Sequence, residues 1–161
     1  MSRFKEAIPT EDGTFILEFS QKGLYALKFP PQKKEAKAAP AGPRKKYSAL
    51  KRTELLLKGY LSGWPVRFSN LKIDFSGFTK LERQVLRVLA RVPAGSVTSY
   101  GELAKKIGRP RAARFVGSVM RKNRLPILLP CHRVLAADGC LGGYSQGLAW
   151  KRKLLKLEGV L

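Results

Sequence analysis

The stretch Pro130-Cys131-His132-Arg133-Val134 sets one of the chain's two cysteines beside its only histidine. A thiol is a weak nucleophile until it loses its proton, and a neighbouring histidine, a positive charge or a helix N-terminus can supply that activation. Adjacent side chains on an extended segment point to opposite faces, so a turn or a bridging water is needed to connect Cys131 with His132. If His132 takes the proton, a carboxylate is expected to orient and support the imidazolium. Only Asp138 and Glu158 lie downstream, and Glu158, at the end of the last helix, is the preferred partner. The bare pair leaves open an inert, small apolar cysteine and a histidine satisfied by hydrogen bonds. No metal is expected, because Cys131, Cys140 and His132 are the only soft ligands in the chain.

The protein to which this thiol belongs is strongly basic. Its 161 residues include 32 Lys and Arg against 11 Asp and Glu, a formal net charge of +21. A field of that sign attracts phosphate backbones or anionic lipid surfaces. Residues 1–76 hold 15 of the basic and 7 of the acidic side chains, which leaves 17 and 4 for residues 77–161. The C-terminal part is therefore the expected docking face and nucleic acid the expected partner, the alternative being a generally basic soluble protein. An apolar content of 44% excludes disorder throughout. No apolar run approaches the roughly 18 residues of a membrane helix, and the N-terminus lacks the apolar core of a signal peptide. A cytoplasmic chain, nuclear if eukaryotic, with no membrane partner, is the expectation. Two cysteines on either side of Asp138-Gly139 are too few to staple a fold, which points to a reduced compartment.

The elements that must position the cysteine fall into two groups. Over the first thirty residues Phe15, Leu17 and Phe19 alternate to one face, and Leu24 and Ala26 resume after a Gln21-Lys22-Gly23 turn, which predicts an antiparallel meander. Residues 30–46 are rich in Pro, Ala and Lys and predict a mobile surface loop without core. A helix over residues 48–61 would bury Leu50, Leu57 and Leu61, and a strand over 66–75 would close this first unit. Near Gly77 the pattern turns helical, which places a domain boundary between residues 76 and 77.

Beyond it, Leu81, Val85, Leu89 and Val92 form the buried stripe of an amphipathic helix that opens at Thr79. Ser99 and Glu102 have capping-box spacing, so a second helix runs over 100–107 until Gly108 stops it. A third, over 111–122, buries Ala112, Phe115, Val116, Val119 and Met120 and presents Arg111, Arg114, Ser118 and Arg121. Two short helices joined by a tight turn, the second bearing arginines, outline a helix-turn-helix. A solvated cationic face is the bland alternative. Residues 125–129 predict a buried extended segment that delivers Cys131 inward. Asp138-Gly139 predicts a hairpin turn. A last helix over 148–157 would pack Leu154, Leu155 and Leu157 and present Lys151, Arg152, Lys153 and Lys156.

Pro130-Cys131-His132-Arg133-Val134, preceded by Arg111-Ala112-Ala113-Arg114-Phe115-Val116-Gly117 and Asn123 and followed by Gly143-Tyr144-Ser145 and Glu158, resembles the O6-alkylguanine-DNA alkyltransferase family, or methylated-DNA–protein-cysteine methyltransferases. The resemblance implies an α+β chain, with a small ribonuclease-H-like α/β domain over 1–76 and a mostly helical winged helix-turn-helix domain over 77–161. It implies stoichiometric transfer of an alkyl group from O6-alkylguanine in double-stranded DNA to Cys131, with O4-alkylthymine as a further substrate. The implied catalytic set is Cys131, His132, Glu158, Tyr100 and Asn123. Arg114 would be the finger that replaces the flipped nucleotide, and Thr98, Ser99, Ala112, Ala113, Gly117, Ser118 and Arg121 would face DNA. Val134, Tyr144, Ser145 and Met120 would shape the substrate pocket. The resemblance further implies a monomer without cofactor. Some members hold zinc in the first domain, but residues 1–76 contain neither Cys nor His. Two other functions fit parts of the pattern. A non-reacting sensor of alkylation damage has no use for the cysteine, and a winged helix-turn-helix regulator leaves Cys131, Asn123 and Glu158 unexplained together.

Overall fold

The computed structural model describes residues 3–31 and 48–161. The expected Pro-, Ala- and Lys-rich loop falls almost wholly on residues 32–47 and so lies outside the described residues. The chain is a mixed α/β protein with two compact units, Met1–Phe75 and Ser76–Leu161. Among the described residues no helix is long and apolar enough to cross a membrane.

In the first unit three antiparallel strands, β1 (Phe4–Thr10), β2 (Gly13–Ser20) and β3 (Gly23–Lys28), pair in the order β1-β2-β3. The period-two pattern sends Phe15, Leu17 and Phe19 into the core, each at most 4% exposed. Phe4 stacks on Phe19 across the register Phe4↔Phe19. A shift of register at Glu18/Phe19 bends β2 against β3. Helix α1 (Ser48–Leu61) buries Thr53, Leu57 and Tyr60. Leu50 and Leu61 are not buried, which turns the expected stripe by about 50° around the helix: spacings of four and three run through Thr53, a polar residue whose hydroxyl satisfies itself on the Ala49 carbonyl at 2.7 Å.

The strand expected over 66–75 is absent. This stretch makes only an isolated parallel bridge, Ile73 with Leu24, through Leu24 N–H to Lys72 O at 2.8 Å and Asp74 N–H to Leu24 O at 2.9 Å. Ser20 adds a hydrogen bond from its hydroxyl to the Asp74 carboxylate. Gly23 makes this approach possible: at φ +136° it lies in glycine territory, and a Cβ there would collide with the Lys72 carbonyl.

The second unit packs α2 (Lys80–Leu89), α3 (Tyr100–Lys106), α4 (Ala113–Lys122) and α5 (Leu148–Leu157). Capping boxes start α2 at Thr79/Glu82 and α3 at Ser99/Glu102. Val85, Leu86, Leu89, Leu103, Ala104, Val116 and Val119 are fully buried between them, and each large aliphatic side chain contributes about 1.5–3 kcal/mol. Gly108, at φ +73°, turns the chain from α3 to α4. The latter begins two residues after the expected Arg111, because Arg109 to Ala112 form a turn closed by Ala112 N–H on Arg109 O.

A short parallel pair joins β4 (Thr98–Ser99) to β5 (Val134–Leu135). It yokes the start of α3 to the strand that leaves the Cys131 turn. Residues 125–129 are buried, as their composition demands, but not extended. They form a turn closed by Leu129 N–H on Leu125 O, with Ile127 at φ +74°. Pro126 lies within this tight reversal and Pro130 follows it.

Replacing Gly23 by Ala should lower stability by at least about 2 kcal/mol, since strain and collision add. The same change at Gly139, which also has positive φ but nothing within 4 Å of the added carbon, should cost only about 1 kcal/mol. Urea unfolding of the two variants compares them directly.

Candidate active site

Cys131–Arg133 form a 3₁₀ turn, not the extended segment from which opposite-facing side chains were inferred. Cys131 N–H donates to Leu129 O at 2.7 Å and Arg133 N–H to Pro130 O at 3.0 Å. The turn buries both side chains, with Cys131 5% and His132 0% exposed. Asn123, the residue that ends α4, holds the turn from the side. Its Nδ2 donates to Leu129 O at 2.8 Å and to Cys131 Sγ at 3.1 Å, and its Oδ1 accepts from Leu125 N–H at 3.0 Å. Burial pushes the Cys131 thiol up to about 11, against the opposing pull of the Asn123 amide, the Lys151 charge and the Tyr144 hydroxyl.

His132 Nε2 lies 2.8 Å from Glu158 Oε1. The same carboxylate receives Arg133 Nε at 2.9 Å and Nη2 at 2.7 Å, and Arg133 Nη1 donates to Val92 O. Glu158 is thus fixed by a two-pronged guanidinium while it orients the imidazole. Burial lowers the His132 pKa more than Glu158 raises it. The ring is therefore neutral at physiological pH, and a neutral ring that donates from Nε2 to the carboxylate offers Nδ1 as a proton acceptor.

Lys151 is the side chain that sequence reasoning misplaced. Read as an exposed cation, it is 0% exposed and donates through Nζ to the carbonyls of Val134, at 2.6 Å, and Leu141. It bridges the strand that leaves the cysteine turn to the loop that carries Tyr144 and Ser145. Its spacing of three and four to Leu154 and Leu155 puts it on their stripe, a signal that the sequence held. Burial pulls its pKa down to about 8.

Cys131 opens onto a cavity of about 700 Å³ lined by Tyr100, Ala113, Arg114, Gly117, Met120, Arg121, Gly143, Tyr144 and Ser145. Tyr100 rises from the start of α3 between Gly117 of α4 and Gly142: a Cβ on either glycine would lie 3.8 Å from its ring or hydroxyl. Burial and the nearby Cys131 raise the Tyr100 pKa, so it stays a proton donor.

Other expected site residues sit elsewhere. Asn123, His132 and Glu158 stand behind the thiol, outside the cavity lining. Val134 is 0% exposed, with its carbonyl taken by Lys151. Thr98, expected to face DNA, is 6% exposed and its hydroxyl donates to Glu102 at 3.0 Å, because the β4–β5 pair turns it inward. Ser99 accepts the Glu102 N–H, Ser118 bonds the Phe115 carbonyl within its own helix, and Ala112 is the N-cap of α4. Gly143, Arg133 and Lys151 enter as site residues the sequence reading did not single out. Among the described residues no group of three or more His, Cys, Asp or Glu could hold a metal ion.

Residues 80–160 match the family model described as the DNA-binding domain of 6-O-methylguanine DNA methyltransferase. The chain is 44% identical over 105 residues to the methylated-DNA–protein-cysteine methyltransferase of Methanopyrus kandleri, an alignment that covers 65% of this chain and 77% of that protein. It is 36% identical over 155 residues to the Methanosarcina barkeri protein of the same name, covering 96% of each. Among solved structures, Mycobacterium tuberculosis OGT in complex with DNA superposes with a TM-score of 0.79 at 32% identity, covering 96% of this chain and 91% of that one.

The folded chain releases the Lys151 proton near pH 8, the unfolded chain only near 10.5. Above pH 8 the unfolded state therefore holds more protons, and this group's contribution to stability rises with pH. Cys131 acts in the opposite sense above pH 9, where an unfolded thiol ionises before the folded one. Urea denaturation between pH 8 and 9 should show the rise, and Lys151→Met should flatten it.

Proposed function

The chain belongs to the methylated-DNA–protein-cysteine methyltransferase family, and on that premise we propose that it repairs O6-alkylguanine in double-stranded DNA by moving the alkyl group irreversibly to its own Cys131. The observation that carries this reading is that Cys131, Tyr100 and Arg114 line one cavity beside α4. A thiol buried in protein cannot reach O6 of a stacked base, so the nucleotide must swing out of the duplex at a cost of a few kcal/mol. Arg114, exposed at the start of α4, fills the vacated space and offsets part of that cost. Within α4, Ala113 and Gly117 allow the backbone to approach the minor groove closely, and Arg121 meets phosphate. Sequence preference is therefore weak, which suits repair.

With the base seated, bulk water is displaced and one bridging water is retained, through which the thiol proton passes to His132, whose imidazolium Glu158 supports. The sulfur attacks the alkyl carbon in line with O6. The S–C bond forms as the C–O bond breaks, the electron pair leaves with the guanine, and Tyr100 supplies the proton that neutralises the base. Met120, Tyr144 and Ser145 bound the pocket, with base-reading groups on Cys131 and the Ser145 backbone. The thioether has no second nucleophile to release it, so each molecule acts once. The reading extends to a helix-turn-helix made of α3 and α4, a winged second domain from residue 77, a ribonuclease-H-like first domain, and a monomer in the compartment that holds the DNA.

Incubation with duplex DNA containing O6-methylguanine should add one methyl group to the peptide that bears Cys131, and mass spectrometry reads it. Cys131→Ala should bind duplex yet accept nothing. A folded wild-type protein that binds the lesion and stays unmodified is a sensor, and the reading fails. Arg114→Ala should slow transfer from duplex at least about tenfold while reaction with the free O6-methylguanine base stays near wild type. Equal loss on both substrates would remove Arg114 from the flipping step.

A further inference from the structure

Asn123, at the end of α4, hydrogen-bonds the thiol, and its two chain neighbours are anchored elsewhere. Lys122 Nζ lies 2.6 Å from Glu82 Oε1. Arg124 Nη2 donates to Ser76 O at 2.7 Å, and its guanidinium lies 4.4 Å over the Phe78 ring. Glu82 is a stiff anchor: its side chain is 5% exposed, and its second oxygen accepts the Thr79 N–H at 2.8 Å in the capping box of α2. The Lys122 ammonium and the Thr79 N–H hold its carboxyl below the usual carboxylate range. The Asn123 backbone is thus gripped on both sides by one segment, residues 76–82, while its side chain makes three hydrogen bonds to the cysteine loop.

We propose that Lys122 and Arg124 are positioning residues for Cys131: by tying the peptide on either side of Asn123 to Ser76, Phe78 and Glu82, they hold the Asn123 amide against the sulfur. A hydrogen bond weakens steeply as its angle departs from linear. The C-terminal end of a helix is where the backbone is least determined by its own ladder, since the last carbonyls lack partners there. Without the two anchors Asn123 would pivot, and its 3.1 Å contact to Sγ would be the first to suffer. Lys122 and Arg124 touch neither the cavity nor the sulfur, so they act through Asn123 alone. The proposal rests on Cys131 as the reactive group of the preceding reading, and a small alkylating agent tests it without DNA.

The readout is the rate of Cys131 alkylation by iodoacetamide across pH, followed on the Cys131 peptide so that Cys140 does not interfere. Tyr100, Tyr144 and Lys151, the other titratable groups that face the thiol, stay unchanged in every variant. Asn123→Ala sets the full effect. Arg124→Ala should slow alkylation at neutral pH about tenfold and displace the profile upward by about one pH unit, and should add nothing further in the Asn123→Ala background. Lys122→Ala should act in the same direction by about threefold, with Lys122→Arg restoring the wild-type profile. Glu82→Gln, which keeps the capping box, should match Lys122→Ala and serves if Arg124→Ala does not fold. A wild-type profile in Arg124→Ala or Glu82→Gln, or losses that add to those of Asn123→Ala, overturns the proposal. Methyl acceptance from duplex by the wild-type chain is scored separately, and its failure would count against the proposed reaction and not against the anchors.

Discussion

A sulfur kept out of water is the constraint around which the second unit is arranged. Ionising it there is costly, and burial carries the Cys131 pKa up to about 11 even against the polar groups around it. Each polar group set against that cost comes from a different element: the Asn123 amide from the end of α4, the Lys151 ammonium from α5, the Tyr144 hydroxyl from the loop between. None of them brings the thiol to ionise at neutral pH by itself. The free protein therefore keeps a quiet thiol, and the proposed chemistry begins only when a base fills the cavity and a proton path through His132 closes. Such conditional reactivity protects a group that can be used once.

The buried charges nearby obey the usual accounting of ions in a low-dielectric interior. A buried carboxylate needs a partner, and the Arg133 guanidinium gives Glu158 one with two hydrogen bonds. That arrangement leaves the imidazole neutral, because the carboxylate is already compensated and burial dominates the ring. Arg133 thereby engages the carboxylate from one side while His132 meets it from the other. Lys151 solves the same problem with neutral acceptors, two backbone carbonyls, and is left with a pKa near 8.

Much of this was legible in the order of residues. The alternation of Phe15, Leu17 and Phe19, the capping box at Ser99 and Glu102, and the Val116, Val119 and Met120 part of the α4 stripe, though not its Ala112 and Phe115, depend on local periodicity, and local periodicity is what a sequence displays. The Cys-His motif and its flanking residues led to the family. What the sequence did not display is tertiary. Lys151 looked like one more cation in a basic helix until two carbonyls from distant segments closed over it. Thr98 looked available to DNA until a two-residue parallel pair turned it inward. Residues 125–129 had the apolar character of a strand, but hydrogen bonds from Asn123 and a closing Leu129–Leu125 bond fold them into a turn. For Lys151 and Thr98 pairing with distant segments overrode the local reading, and for residues 125–129 the short bonds around Asn123 did.

Ile127 gives that turn a further meaning. A β-branched residue, 1% exposed, sits at φ +74°, a conformation costing of order 1–3 kcal/mol that persists only where its surroundings impose it. The peptide just upstream of Cys131 is therefore held wound by its packing. Any change at the sulfur or its amide clasp would therefore be felt first in a turn whose backbone conformation depends on the packing around it.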